Sequence, residues 1–562
     1  MQANYWYGFA KEEVQAVVSV SNVSRSDAMT KRSSAVARRS LVKNQQTGQM
    51  RKDIIFIFFL LALSISRFLH KGTTRTTMKA LRLRVSQIRH QSHRQRYGRP
   101  EICGSSATRR HPSCRFRSIS TTTPVYSSTK TNQMDQICEL AASNLRFGPG
   151  ATHEVGKDVA QQFHAQRVVI FADANVSKSI QTVQESLEEQ GVSYTTYTDI
   201  RYEPNDTSFQ EASRFLQEQE YDVVIAVGGG SVMDTAKAAN LYACHPPNDF
   251  YDYVNPPVGQ GLPPPGLLKP LIAIPTTAGT GSETTGVAIF DDGPRACKTG
   301  IAHRLLKPTL GIVDSDNTAT IPSAVATYSG LDVLCHAIES YTAVPFHQRG
   351  PKPSSPLLRP AYQGSNPISD VWSLYALETC AKNIHAAVQK GDLESRHNML
   401  LASSAAGLGF GNAGVHLCHG MSYPVSSQNK SYTAPGYESS GHPIVPHGLS
   451  VIVNAPAVFA WTGSSAPERH AKCARILAQA RGVTEQDILH NIEHADAGAW
   501  LANEIHHLCE SLKVPMGLRT FGYSVDDIPA MVEGTIQQHR VTKISPRPVD
   551  RAALEYLFDQ AL

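Results

Sequence analysis

Residues 221–234 read YDVVIAVGGGSVMD. A run rich in β-branched residues stops at three glycines and a serine, and the chain then continues through Lys237 and Ala238 in a helix-compatible stretch. The pattern is strand, tight turn, helix. Glycines let a backbone approach a phosphate closely, and a helix N-terminus adds free amide donors and the positive end of a dipole. Gly229, Gly230 and Ser231 are therefore candidate phosphate-binding residues, with Asp234 in the first turn of the helix. The spacing is not G-x-G-x-x-G, so a plain strand–helix connection stays open as an alternative here.

Similar runs lie on either side. Strands are expected at 167–173 (RVVIFAD), 221–227, 271–275 (LIAIP), 286–290 (GVAIF) and 310–314 (LGIVD), with polar helices at 177–190 and 208–219. Alternation of this kind implies a parallel sheet covered on both faces. A second glycine-rich turn, PTTAGTGSE at 275–283, also follows a strand. Its hydroxyls, including Thr276 and Thr277, and its amides suit a pyrophosphate or ribose. Two such turns in one sheet point to a dinucleotide, held beyond the carboxyl ends of the strands. The expected α/β dinucleotide-binding domain spans 132–320.

After Pro322 the strand pattern stops. Apolar-periodic segments at 324–341, 367–389, 394–413, 467–481 and 495–512 imply an all-helical domain over 321–562. Asp332 and His336 lie four apart in GLDVLCHAIESY, which puts them on one helix face. His419 stands in GVHLCHGMSYP and His447 in PHGLS. One carboxylate and three imidazoles suit a borderline divalent ion such as Fe²⁺ or Zn²⁺. Among 22 histidines an Asp-x-x-x-His pair also arises easily by chance, so spacing alone does not establish the site.

At 41% hydrophobic and 18% charged, the bulk composition is that of a globular protein. Charge is unevenly placed. Residues 1–130 hold 24 Lys+Arg against 5 Asp+Glu, and the rest hold 29 against 43. An acidic body argues against nucleic-acid binding. The apolar run at 54–66 falls short of the roughly 20 residues of a membrane span. From Met78 the chain is rich in Arg and Ser, with Glu101 the single acid between Lys71 and Met134, which is the composition of a mitochondrial transit peptide. Residues 1–131 are accordingly expected to be a disordered leader, with Met78 as its natural start. Ten scattered cysteines without C-x-x-C pairs indicate a reducing compartment.

Taken in order, GGGSVMD (228–234), PTTAGTGSE (275–283), GLDVLCHAIESY (330–341), HGMSYP (419–424) and PHG (446–448) resemble the iron-containing alcohol dehydrogenases. The resemblance covers about residues 135–560. It implies an N-terminal nucleotide-binding α/β domain, a helical metal-binding domain as in dehydroquinate synthase-like folds, and a metal between them. It maps the metal ligands onto Asp332, His336, His419 and His447, the pyrophosphate loop onto Gly229, Gly230 and Ser231, and further NAD contacts onto Thr276, Thr277, Asp173 and Lys298.

Within the family, RPAYQGSNPISD (359–370) and HRVTKISPRP (539–548) are similar to a mitochondrial branch. That branch transfers hydride from 4-hydroxybutyrate to 2-oxoglutarate, giving succinate semialdehyde and 2-hydroxyglutarate, with the nicotinamide retained. The likeness carries an expectation of a homo-oligomer, a dimer in particular, working in the matrix with no membrane partner. One departure stands out: many members have a second His four residues after the third ligand, where this chain has Tyr423. Because both substrates are carboxylates, the cleft needs a cation, and Arg359 in the Pro-rich stretch 346–367 is the expected clamp. The alternatives are a conventional NAD(P)-dependent alcohol dehydrogenase or aldehyde reductase, and a non-catalytic metal- or nucleotide-binding protein.

Overall fold

The computed structural model describes residues 134–295, 297–488 and 496–562. All belong to one unit, Val125–Leu562. The expected leader, 1–131, lies outside the described residues.

Six strands form a parallel sheet: β1 (Asn144–Phe147), β2 (Arg167–Ala172), β3 (Ser193–Tyr197), β4 (Val223–Gly228), β5 (Leu271–Pro275) and β8 (Leu310–Val313), in the order β1-β8-β5-β4-β2-β3. The continuous apolar run of β4 follows from burial on both faces. Val223, Ile225 and Val227 pack towards Val183 and Leu187 of α1 (Ser177–Glu188). Val224 and Ala226 pack the other way, with Ala212 and Leu216 of α2 (Asp206–Gln217) and Ala236 and Ala239 of α3 (Gly230–Cys244). Alternate side chains point to opposite faces of a strand, so one strand serves two cores.

From β2 the chain pairs outward to β3, then returns to lay β4 on the other side of β2. The order reverses between β2 and β4, and ligands of such sheets bind at this kind of crevice. Asp173 leaves the end of β2 there, and the Gly228–Gly230 turn leaves the end of β4.

The stretch at 286–290 does not join the parallel sheet. It forms β6 (Val287–Asp292), which pairs antiparallel with β7 (Cys297–Ala302) in register Asp291↔Lys298. This hairpin follows the second glycine-rich turn and brings Lys298 towards the cleft.

Among the described residues β8 is the last strand. The helices that follow include α4 (Ser323–Thr342), α5 (Pro367–His385), α6 (Leu393–Ala413), α7 (Leu417–Ser427) and α8 (His447–Ile452). Then come α9 (Ala455–Thr462), α10 (Pro467–Ala480), α11 (Ala497–Ser511), α12 (Ile528–Ile536), α13 (His539–Thr542) and α14 (Arg551–Ala561). The start of α5 is written in its sequence: Asn366 accepts from the N–H of Ile368 and Ser369, and Pro367 occupies the first turn, where a missing donor costs nothing. From Leu331 to Ser340 every residue of α4 is buried, which makes it the central helix of the large core cluster.

The second turn meets this helical layer through glycines. Gly281 has φ +57°, and a Cβ there would lie 2.8 Å from both the Gly407 Cα and the Ser403 carbonyl oxygen of α6. Only glycine on each side permits so close an approach. No described helix is long and apolar enough to cross a membrane.

Candidate metal and dinucleotide cleft

Three helices bring the candidate metal ligands together. Asp332 and His336 come from adjacent turns of α4, His419 from the first turn of α7, and His447 from the first residue of α8. Asp332 Oδ1 is the focus. It lies 3.7 Å from His336 Nε2, 3.4 Å from His419 Nε2 and 3.9 Å from His447 Nε2. The ligand atoms of Asp332, His419 and His447 all fall within 4.8 Å of one another. Phe410 stacks on His336 with ring centroids 4.0 Å apart and holds that imidazole flat.

Two of the central atoms, Asp332 Oδ1 and His419 Nε2, are buried without a hydrogen-bond partner. Orphaned buried polar atoms are costly and call for a missing partner. A carboxylate oxygen and an imidazole nitrogen facing each other both accept a divalent cation, so the donor set fits such an ion.

Glu339 lies one turn beyond His336 on α4 and is fully buried. Its Oε1 accepts from the backbone N–H of His416 at 3.1 Å and of Cys418 at 2.7 Å, and its Oε2 is paired with Nδ1 of His419. The Nδ1 proton of His419 is thereby fixed and Nε2 is turned to Asp332. Outer-shell carboxylates of this sort orient metal-binding imidazoles. Glu339 is not among the residues expected from the sequence, although its place three residues after His336 in the same motif is a signal for it.

Electrostatics agree. Burial pushes His336 down to about 3 and also lowers His447, so both imidazoles are neutral and able to donate lone pairs. For His419 burial acts downward too, but Glu339 and Asp332 outweigh it and lift the group to about 9. For Asp332 burial acts upward, yet the surrounding imidazoles hold it well below the usual carboxylate range. Asp332 and Glu339 thus create a place for positive charge.

Asp332, His336, His419 and His447 line a cavity of about 180 Å³, shared with Gly230, Ser231 and Asp234 of the first turn and Thr280 and Ser282 of the second. The two turns face each other: a Cβ on Gly229 would lie 3.2 Å from Thr277 Oγ1, and one on Gly230 would lie 2.7 Å from Thr280 Cγ2. Asp234 ties them together, accepting from Ser282 Oγ at 2.8 Å and from the Ile289 N–H at 3.0 Å. Thr276 is buried and bonds through its N–H to the Gly228 carbonyl at 3.1 Å.

Lys298 reaches the cavity but is already matched, to Glu203 at 2.5 Å and Asp291 at 3.0 Å. Asp173 lies outside the cavity lining, where its Oδ1 accepts from the Asn175 N–H at 2.9 Å and from Tyr202 Oη at 3.3 Å.

Tyr423 lines the cavity one helical turn after His419, and its Oη accepts from Arg540 Nη2 at 2.7 Å. Arg359 does not reach this cavity. Its guanidinium pairs with Asp135 at 3.0 Å and Glu139 at 3.3 Å, with only 5% of the side chain exposed. It anchors the residues that precede the sheet, and those carboxylates leave it no part as a substrate clamp. Arg540, which the sequence reading did not single out, is the guanidinium that lines the cavity.

Sequence comparison bears on this arrangement. The profile "Iron-containing alcohol dehydrogenase" matches residues 142–315, and "Fe-containing alcohol dehydrogenase family, C-terminal" matches 361–562. A curated relative, "Hydroxyacid-oxoacid transhydrogenase, mitochondrial" of Bos taurus, is 51% identical over 431 residues, which cover 76% of this chain and 90% of that protein.

The chain belongs to the iron-containing alcohol dehydrogenase family.

The Homo sapiens protein of the same name is 50% identical over 432 residues, covering 76% of this chain and 90% of that one. A "Probable hydroxyacid-oxoacid transhydrogenase, mitochondrial" of Dictyostelium discoideum is 51% identical over 450 residues, covering 77% and 80%. Among solved structures, a 1,3-propanediol oxidoreductase superposes with a TM-score of 0.63 at 24% identity, covering 76% of this chain and all of the other. At that identity the likeness is one of fold. An iron-containing alcohol dehydrogenase of Thermococcus thioreducens gives a TM-score of 0.61 at 25% identity, over 75% and 99%.

Proposed function

We propose that this family member is a hydroxyacid-oxoacid transhydrogenase, moving hydride from 4-hydroxybutyrate to 2-oxoglutarate and giving succinate semialdehyde and 2-hydroxyglutarate. The observation that carries the reading is the convergence of three imidazoles on Asp332 Oδ1 in the same small cavity as Gly230 and Ser231. The shared name of relatives about 50% identical, hydroxyacid-oxoacid transhydrogenase, supports a hydroxyacid donor and an oxoacid acceptor, for which 4-hydroxybutyrate and 2-oxoglutarate are the proposed pair.

Asp332, His336, His419 and His447 are the residues to hold a divalent ion, Fe²⁺ or Zn²⁺, which when bound supplies Lewis-acid polarisation of the substrate oxygen. Gly229, Gly230 and Ser231 offer the N-terminus of α3 to the pyrophosphate of NAD, the hydride carrier, while Thr276, Thr277 and Asp234 shape the facing turn. Asp173, at the crevice between β2 and β4, is the further cofactor contact on this reading. Lys298 holds Glu203 and Asp291 together at the edge of the cavity.

Tyr423 Oη accepts from Arg540, so its own hydroxyl hydrogen is free to donate to a substrate oxygen in the cavity. Glu339 fixes the proton on Nδ1 of His419 and keeps Nε2 available. On this reading one acid would replace the other in the cavity with NAD retained between the two half-reactions. The protein works in the mitochondrial matrix, as a homodimer.

The test uses the purified protein loaded with Fe²⁺ or Zn²⁺, given 4-hydroxybutyrate and 2-oxoglutarate and no added nicotinamide. Formation of 2-hydroxyglutarate is the expected result. Activity that needs added NAD⁺ and releases NADH would instead make the protein a conventional dehydrogenase.

A further inference from the structure

Arg540, on α13, is unlike Lys298 in the cleft and Arg359 outside it. Lys298 has two carboxylates and Arg359 has two. Among the described residues no carboxylate is paired with Arg540. Its neighbours are two phenols: Nη2 donates to Tyr423 Oη at 2.7 Å, and the guanidinium lies over the Tyr362 ring, 4.7 Å from its centre. Its Nη1 is shut off from solvent and has no hydrogen-bond partner. A guanidinium edge that is desolvated and unpaired costs free energy that an arriving anion would recover. The residue lines the cavity that contains Asp332, His336, His419 and His447. An anion small enough for that cavity is therefore the partner the edge lacks.

We propose that Arg540 binds the carboxylate that the two substrates have in common, and so selects acids over simple alcohols. This rests on the transhydrogenase reading. In 4-hydroxybutyrate two methylenes separate the carbinol carbon from the carboxylate. In 2-oxoglutarate two methylenes separate the keto carbon from the distal carboxylate. One fixed guanidinium therefore holds either acid with its reacting carbon at the same place. Arginine suits this because a guanidinium presents its donors in a planar fork that matches a carboxylate. The contact with the Tyr362 ring and the bond to Tyr423 keep the guanidinium oriented before substrate arrives.

The test compares wild type with Arg540→Gln, Arg540→Met and Arg540→Lys, each as the full protein loaded with metal and NAD. Arg540→Met keeps an apolar stem against Tyr362, so whichever neutral variant folds separates charge from packing. Glutarate, which is 2-oxoglutarate without the keto oxygen, is titrated by calorimetry, and KM is measured for both acids. Loss of a charged hydrogen-bonded pair should weaken glutarate binding by about 10- to 100-fold. KM for 4-hydroxybutyrate and for 2-oxoglutarate should rise together, NAD affinity should stay unchanged, and Arg540→Lys should recover part of the loss. Glutarate that fails to bind wild type, or that binds a folded neutral variant as tightly, overturns the proposal. So does a KM increase confined to one acid. Arg540-dependent glutarate binding in a wild type that transfers no hydride would sustain the carboxylate site and remove the transhydrogenase reading instead.

Discussion

Glu339 and His419 form a buried pair in which the carboxylate holds Nδ1 of the imidazole, while the opposite nitrogen, Nε2, faces Asp332 Oδ1 with no partner of its own. Glu339 would therefore act on a bound metal through His419, as a positioning residue. In Glu339→Gln the amide can still pack, but it no longer enforces the proton on Nδ1 or raises the basicity of the ring. Metal affinity should fall about 10- to 100-fold, read by competition with a chelator of known affinity. An unchanged affinity would leave Glu339 as a purely structural carboxylate for the start of α7.

His419→Ala removes one of the two orphaned atoms at the centre of the site. Bound metal should be lost on dialysis, and transfer activity should fall by about 1000-fold or more, since Lewis-acid stabilisation contributes several kcal/mol. Elemental analysis and the transfer assay read the two effects separately. Retained metal with lost activity would move the role of His419 from ligation to catalysis.

The contact between Gly281 and Gly407 has no room for a side chain. Gly407→Ala should cost about 1–3 kcal/mol, as overpacking does in a filled interior, and should lower the thermal midpoint. Because the turn at 275–283 would be pushed outward, NAD affinity should drop as well. Calorimetric unfolding and NAD titration of the same preparation check both.

Lys307 gives a pH signature away from the metal. Its Nζ donates to the carbonyls of Ala141 at 2.7 Å and Thr284 at 3.1 Å. Burial, with a smaller push from Lys237, brings the group down to about 8 from 10.5. Between those values the unfolded chain binds a proton that the folded chain has released. Stability should therefore rise with pH from about 8 to about 10.5, and the full penalty applies below that window. Lys307→Met should flatten this rise whatever it does to the baseline. Urea unfolding across the window measures it, and an equal slope in both proteins would reject the assignment.

Much of the α/β half was legible because burial on two faces leaves a plain mark: β2, β4, β5 and β8 are short apolar runs ended by turn residues. β3 was missed because it is an edge strand, SYTTY, with no residue fully buried. β1, NLRF, is too short to show a period. The run at 286–290 was recognised as a strand, but its partner β7 could not be, because pairing depends on a hairpin that apolar periodicity does not encode.

The four candidate ligands were readable as motifs, and folding brings Asp332, His419 and His447 within 4.8 Å of one another, with His336 Nε2 3.7 Å from Asp332 Oδ1. The cations were not readable. Arg359 sits in a loop that looked open, yet its partner Asp135 lies 224 residues earlier. Arg540 meets Tyr423 across 117 residues, and its unpaired edge is a property of the folded cavity that no local pattern encodes.

The burial of α4 has a consequence for the lifetime of the folded chain. Asp332 and Glu339 sit on the helix around which the large core is built, so the ion they call for would be clamped into the keel of the structure rather than perched at its rim. A ligand that binds the native state alone stabilises it by mass action, about 1.4 kcal/mol for each tenfold excess over its dissociation constant. Metal scarcity would then deplete the protein itself, through unfolding and proteolysis, as well as silencing the molecules that remain.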